Sequence, residues 1–127
     1  MSFDWSQYLR LAEELAGQGS TSPCQEAKWR SSVSRSYYAA FCTARNHLRD
    51  MDGVTIPSEG VHKFVRETFV KSGDMSRKQI GTSLDRLRID RNKTDYDDTM
   101  DIAKWLPLTT VMDLMTSQQV ISDIATL

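Results

Sequence analysis

Little in this chain is suited to stapling a fold covalently or through a metal. Its 127 residues hold two cysteines, Cys24 and Cys42. Placed on one helix, 18 residues apart, they are separated by about 27 Å, far beyond the roughly 7 Å that a disulfide tolerates. No Cys/His cluster has zinc spacing, so no metal site is expected. Six glycines and three prolines exclude collagen-like and low-complexity architectures. No apolar run approaches the length of a membrane span, and Met1 to Leu11 lacks the apolar core of a secretory leader. A cytoplasmic protein without membrane contact is the expectation. Phosphate-cradling glycine loops and nucleophile elbows are missing too, which leaves no cofactor to expect.

What is present is helix. Period-2 alternation is absent, and 3.6-residue stripes recur along the chain. Trp5, Tyr8, Leu9, Ala12, Leu15 and Ala16 form the first, closed by Gly17-Gln18-Gly19. Ser22-Pro23-Cys24-Gln25 reads as a capping box with proline at N1, opening a second helix to about Asp50. Its inward stripe is Trp29, Val33, Tyr37, Ala40, Ala44 and Leu48. Ser58 is a candidate cap for a third helix carrying Val61, Phe64, Val65 and Phe69. Ser76 with Gln79 is a candidate box for a fourth, running toward Arg91. Lys93 to about Ala103 is polar and aperiodic and reads as loop. Pro107 suits the first turn of a last helix with Leu108, Val111, Met112 and Met115 inward. Val120, Ile121 and Ile124 fall off that stripe, so this helix has two apolar faces or a frayed end. The length fits one domain over residues 1–127, an all-α bundle of four to five helices.

Charge is nearly balanced overall, at −1, but unevenly spread. Lys28 to Arg49 carries five basic residues and no acidic one; Asp95 to the C-terminus carries six aspartates against Lys104. Such asymmetry suits a charged partner or a second copy of the chain. On the second helix Arg35, Tyr38, Cys42, Arg45 and Arg49 share about 80° of arc. Basic residues interleaved with an aromatic suit phosphate contact plus base stacking; a solvated basic face is the plain alternative.

The sharper signal is Arg91. Ile80, Leu84 and Leu87 mark an inward stripe whose next position is Arg91. A guanidinium there cannot lose its charge, so it must find acceptors, inside the protein or on an anion in a cleft. Asn92 and Tyr96 beside it add an amide and a stacking hydroxyl-bearing ring. Asp95, Asp97, Asp98 and Asp101 have no calcium-loop spacing and read as a solvated acidic loop. His47 and His62 lie on different helices and read as structural.

Two stretches resemble one family. Ser34-Arg35-Ser36-Tyr37-Tyr38-Ala39-Ala40-Phe41 resembles the second-helix signature of small HEPN domain proteins. Leu87-Arg88-Ile89-Asp90-Arg91-Asn92-Lys93-Thr94-Asp95-Tyr96 resembles their second signature, in which an arginine precedes a histidine by four to six residues. The resemblance spans nearly the whole chain. It implies an up-and-down helical bundle that forms a homodimer around a shared cleft. It also implies metal-independent endoribonuclease activity of a toxin kind, paired with a nucleotidyltransferase-type antitoxin. Carried over by position, Arg91 is the motif arginine and Asn92 its polar follower; Arg35 and Tyr38, with Arg45 and Arg88, are expected to contact RNA or nucleotide. Tyr96 stands where the histidine belongs. Tyrosine, with a pKa near 10, is a poor base at neutral pH. The expectation therefore divides between weakened RNA cleavage, with Arg91, Asn92 and Tyr96 as its residues, and a non-catalytic nucleotide-binding adaptor. Leu114, Ile121 and Ile124 are the candidate dimer contacts.

Overall fold

The structure, a computed structural model, describes residues 3–17 and 24–127. Five helices account for most of it, and no strand occurs among the described residues. They are α1 (Ser6–Ala16), α2 (Gln25–Asp50), α3 (Val61–Val70), α4 (Met75–Tyr96) and α5 (Trp105–Ala125). The fold is a helical bundle in which α2 packs against all four other helices. No helix among the described residues is long and apolar enough to cross a membrane.

The expected stripe of α2 goes inward: Val33, Tyr37, Ala40, Ala44 and Leu48 are buried and Trp29 is half-buried. They meet Val65 and Phe69 of α3, Ile80, Leu84 and Leu87 of α4, and Val120 and Ile124 of α5. Alanines along α2 bring its neighbours close. Gly81 does the same between α3 and α4: a Cβ there would lie 2.6 Å from both the Val70 backbone nitrogen and its Cγ2.

Helix starts differ from the sequence expectations. The proposed cap Ser22-Pro23 lies outside the described residues, as do Gln18 and Gly19; α1 ends at Gly17. Ser58 does not cap α3. That helix begins after Gly60, whose φ of +64° makes the left-handed turn that glycine accommodates without strain. Ser76 does not cap α4 either. Asp74 sits two residues ahead and its carboxylate accepts the Arg77 backbone N–H at 3.2 Å, an equally good capping chemistry that lengthens the helix.

At its other end α4 runs on to Tyr96, so Lys93 to Tyr96 is helix rather than loop. No apolar repeat marks these residues. Instead Thr94 is buried, and Arg30 of α2 donates from Nη1 to the carbonyls of Thr94 and Asp97, at 2.9 and 2.8 Å. A side chain from another helix supplies the donors that a helix C-terminus lacks.

The largest correction concerns α5. Leu108, Val111 and Met115, expected inward, are 63%, 52% and 62% exposed. The buried stripe is Leu106, Thr109, Thr110, Asp113, Ser117, Val120 and Ile124. More than half of it is polar, which is why apolar periodicity pointed to the wrong face. The Thr110 hydroxyl donates to the Leu106 carbonyl and the Ser117 hydroxyl to the Ser36 carbonyl, both at 2.7 Å. Such small, locally satisfied hydroxyls tolerate burial. Of the expected dimer contacts, Ile124 is buried in the core and Leu114 and Ile121 are half-buried.

Candidate functional site

Between α1, α2, α3 and the C-terminal half of α4 lies a cleft of about 770 Å³. Four arginines line it: Arg30, Arg35 and Arg45 from α2 and Arg91 from α4; Asp95 is the carboxylate residue among the lining. The basic face of α2 builds one wall because its 3.6-residue spacing turns Arg35, Tyr38, Cys42 and Arg45 the same way. Arg49, the last of that series, is exposed and pairs with Asp50 at 2.7 Å.

Arg91 reaches this wall because α4 is helical on both sides of it. Its side chain is 19% exposed. Nη2 donates to the Tyr38 hydroxyl at 2.8 Å and Nη1 to the Asn92 side-chain oxygen at 3.0 Å. Nε lies 3.0 Å from Asp95, one helical turn on. The guanidinium also sits over the Tyr38 ring at 5.1 Å. It is held on several sides yet faces a cleft, an arrangement suited to bidentate contact with phosphate oxygens. Arg35 and Arg45 lie over the rings of Tyr8 and Trp5, at 5.0 and 5.5 Å. Among the described residues neither has a carboxylate ion pair, so their charge is available to the cleft. Arg30 is committed to Glu26 at 2.8 Å and to the end of α4.

Of the other residues singled out from the sequence, Asn92 touches the site through Arg91. Arg88 does not line the cleft and is bonded to Asp85 at 2.9 Å. Tyr96 is 75% exposed and does not line the cleft. Asp97 and Asp101 accept hydrogen bonds from nearby loop groups, and no cluster of three or more potential metal ligands occurs among the described residues.

Several lining residues were not among the site residues expected from the sequence, Arg30, Trp5 and Tyr8 among them, and His62 of α3, read there as structural, also lines the cleft. The signal was there: His62, Val65 and Phe69 share a helical face, so a polar ring sits on an inward stripe, as Arg91 does. Its imidazole stacks on Phe41 with centroids 4.2 Å apart, and Nδ1 is 2.5 Å from the Tyr37 hydroxyl. Burial lowers its pKa, and the charges of Arg91, Arg45 and Arg66 lower it further, so it is neutral at pH 7. Burial raises the Tyr37 hydroxyl well above the ordinary tyrosine range and pushes the Cys42 thiol up to about 11. Neither is a ready nucleophile or base at neutral pH.

Compared with known proteins, the chain matches no family model, no curated protein and no solved structure.

Proposed function

We propose that the chain is a HEPN-type, toxin-like RNA-binding component of a two-gene module, working beside a nucleotidyltransferase-type antitoxin in the cytoplasm. The observation that carries this reading is Arg91 on the wall of a cleft that also presents Arg35 and Arg45. Phosphodiesters supply the counter-charge that Arg35 and Arg45 lack, Arg45 being bonded only to the neutral Asn46 side chain at 3.0 Å, and the rings of Tyr38, Tyr8 and Trp5 suit stacking with unpaired bases. In a cleaving enzyme Arg91 would stabilise charge on the pentavalent phosphorus, with no metal required.

A specific observation favours binding over cleavage. Tyr96 is exposed away from the cleft, and the phenol of Tyr37 and thiol of Cys42 hold their protons tightly. The second reading is a non-catalytic adaptor, a bundle that takes a nucleotide in the cleft or only partners a nucleotidyltransferase. Dimerisation belongs to both readings. The exposed stripe of Leu108, Val111, Met112 and Met115 is the face we assign to a twin copy across a two-fold axis.

The test is fluorescence anisotropy of a short single-stranded RNA with the purified chain, at rising salt, beside a cleavage assay with and without chelator. Binding that weakens steeply with salt and with Arg91→Ala supports the reading; cleavage that survives chelation supports the enzyme form. A chain that binds a nucleotide but neither binds nor cuts RNA is an adaptor. Light scattering of the wild type and of Leu108→Glu/Met115→Glu tests the dimer: twice the monomer mass for the first and monomer for the second.

A further inference from the structure

His62 lines the cleft, and the bond made by its Nδ1 fixes the role of the other ring nitrogen, Nε2. Tyr37 is buried, its hydroxyl keeps its proton, and the acceptor within reach of that O–H is Nδ1 of His62. A buried hydroxyl hydrogen requires an acceptor. Tyr37 therefore donates to Nδ1, and a neutral imidazole so engaged carries its own hydrogen on Nε2. The ring is clamped by stacking on Phe41 and lies edge-on to Tyr38 at 6.1 Å, the residue whose hydroxyl holds Arg91. We propose that His62 is a phosphate-binding residue of the cleft, its Nε2–H donating to an oxygen of the RNA phosphate that Arg91 clamps.

This rests on the RNA-binding reading and deepens it, because it makes His62 a donor rather than the missing base. Its Nδ1 lone pair is taken by Tyr37 and its Nε2 carries a proton, so it has no free site to accept the 2'-hydroxyl proton of a ribose. The cleft then favours holding an RNA phosphate over cutting beside it. Tyr37 acts through His62 as a positioning residue: it selects the tautomer.

The experiment is ¹⁵N NMR of the imidazoles in the full chain at pH 7.5, free and with a short single-stranded RNA. The chain has two histidines, and His47→Gln assigns them. A neutral Nε2–H tautomer for His62, with that proton shifting as RNA is added, is the expected result. Tyr37→Phe should move His62 toward a mixture of tautomers, which loss of packing alone would not do. In anisotropy, His62→Phe should weaken RNA binding about fivefold, one hydrogen bond's worth, and His62→Gln, which keeps a donor near the Nε2 position, should recover part of it. If RNA binds and Arg91→Ala abolishes binding, but the His62 signals stay still and His62→Phe binds as wild type, the assignment of His62 is overturned while the RNA reading stands. An Nδ1–H tautomer also overturns it. If the wild type binds no RNA, the reading fails and this inference with it.

Discussion

Arg91 and Asp113 are charged residues on the inward faces of neighbouring helices, and the bundle treats them oppositely. Arg91 keeps its charge. Tyr38, Asn92 and Asp95 surround it, and one side opens to the cleft. Asp113 is fully buried, and among the described residues neither carboxyl oxygen has an ordinary hydrogen-bond donor. Its surroundings include the Asp90 carboxyl, with Arg86 as the compensating charge. Burial first, and then the shared proton and repulsion of Asp90, raise its pKa far above the usual carboxylate range, so it is protonated at neutral pH. A guanidinium cannot take that exit. A buried acid answers its environment by neutralising; a buried arginine needs acceptors, and Arg91 finds them in Tyr38, Asn92 and Asp95 while still lining a cleft. That contrast is why we read Arg91 as part of a candidate site and Asp113 as a structural compromise.

The largest effect should come from removing the charge that stays. Arg91→Ala is expected to weaken binding of single-stranded RNA by on the order of 30-fold or more, the loss of a charge-assisted bidentate contact. Arg91→Lys should rescue little, since an ammonium lacks the planar fork. Circular dichroism should show helix content unchanged for both, because the partners left behind are a hydroxyl, an amide and an acid beside open solvent. An Arg91→Lys variant that binds as wild type would reduce Arg91 to a point charge and remove the basis of the comparison.

Next comes the charge that does not stay. Asp113→Asn should stabilise the fold by about 1–2 kcal/mol at pH 5, read from urea denaturation. The sign follows from linkage. The folded pKa is raised to about 9, while the unfolded chain ionises near 3.9. Between these values the unfolded state holds fewer protons than the folded one, so wild-type stability declines as pH rises through that window. The advantage of Asp113→Asn should therefore be small near pH 4 and grow toward pH 9. An amide also donates to the Asp90 carboxylate, where two carboxylates would repel. An advantage that is flat with pH would mean that Asp113 is ionised in the fold, and the contrast with Arg91 would be lost.

A smaller effect tests the holding of Arg91. Tyr38→Phe deletes the 2.8 Å bond to Nη2 but keeps the ring beneath the guanidinium. Binding should weaken about fivefold, well short of Arg91→Ala. Equal losses for the two variants would instead make Tyr38 a direct RNA contact.

How much of this was legible beforehand follows from what periodicity can detect. Val33, Tyr37 and Leu48 of α2 and Ile80, Leu84 and Leu87 of α4 repeat at helical spacing, so their helices and inward faces could be read. Arg91 stood out because it interrupted such a repeat. On α5 the inward positions are Thr110, Asp113 and Ser117, whose hydroxyls and neutral acid belong inside only because particular neighbours satisfy or tolerate them. The apolar residues of that helix lie largely outside, and the pattern was read inside out. The last turn of α4 was missed for a related reason: its carbonyls are capped by Arg30, 64 residues away in sequence from Thr94, which no local pattern announces. His62 was visible as a polar residue on an apolar face, but its partner Tyr37 lies on another helix, and without that bond the ring had no assignable role.

The smallest expected effect belongs to Tyr96, the residue expected at a motif position. Tyr96 is exposed at the end of α4 and is outside the cleft of its own chain. Arg91 is five residues back on the same helix, so the two side chains leave the axis about 140° apart. Tyr96→Phe should change RNA binding by less than about twofold, as expected of an exposed hydroxyl exchanged far from the ligand. Tyr96→His should create no cleavage within one chain, because an imidazole there is on another side of the helix from the phosphate that Arg91 holds. Both variants are measured by anisotropy and by the chelator-controlled cleavage assay, above and below the concentration at which light scattering reports a dimer. Activity gained by Tyr96→His only in the dimer would mean that the end of α4 completes the cleft of a twin copy. The comparison would then extend to three charged or polar outposts on two helices, with Tyr96 serving the partner's Arg91 rather than its own.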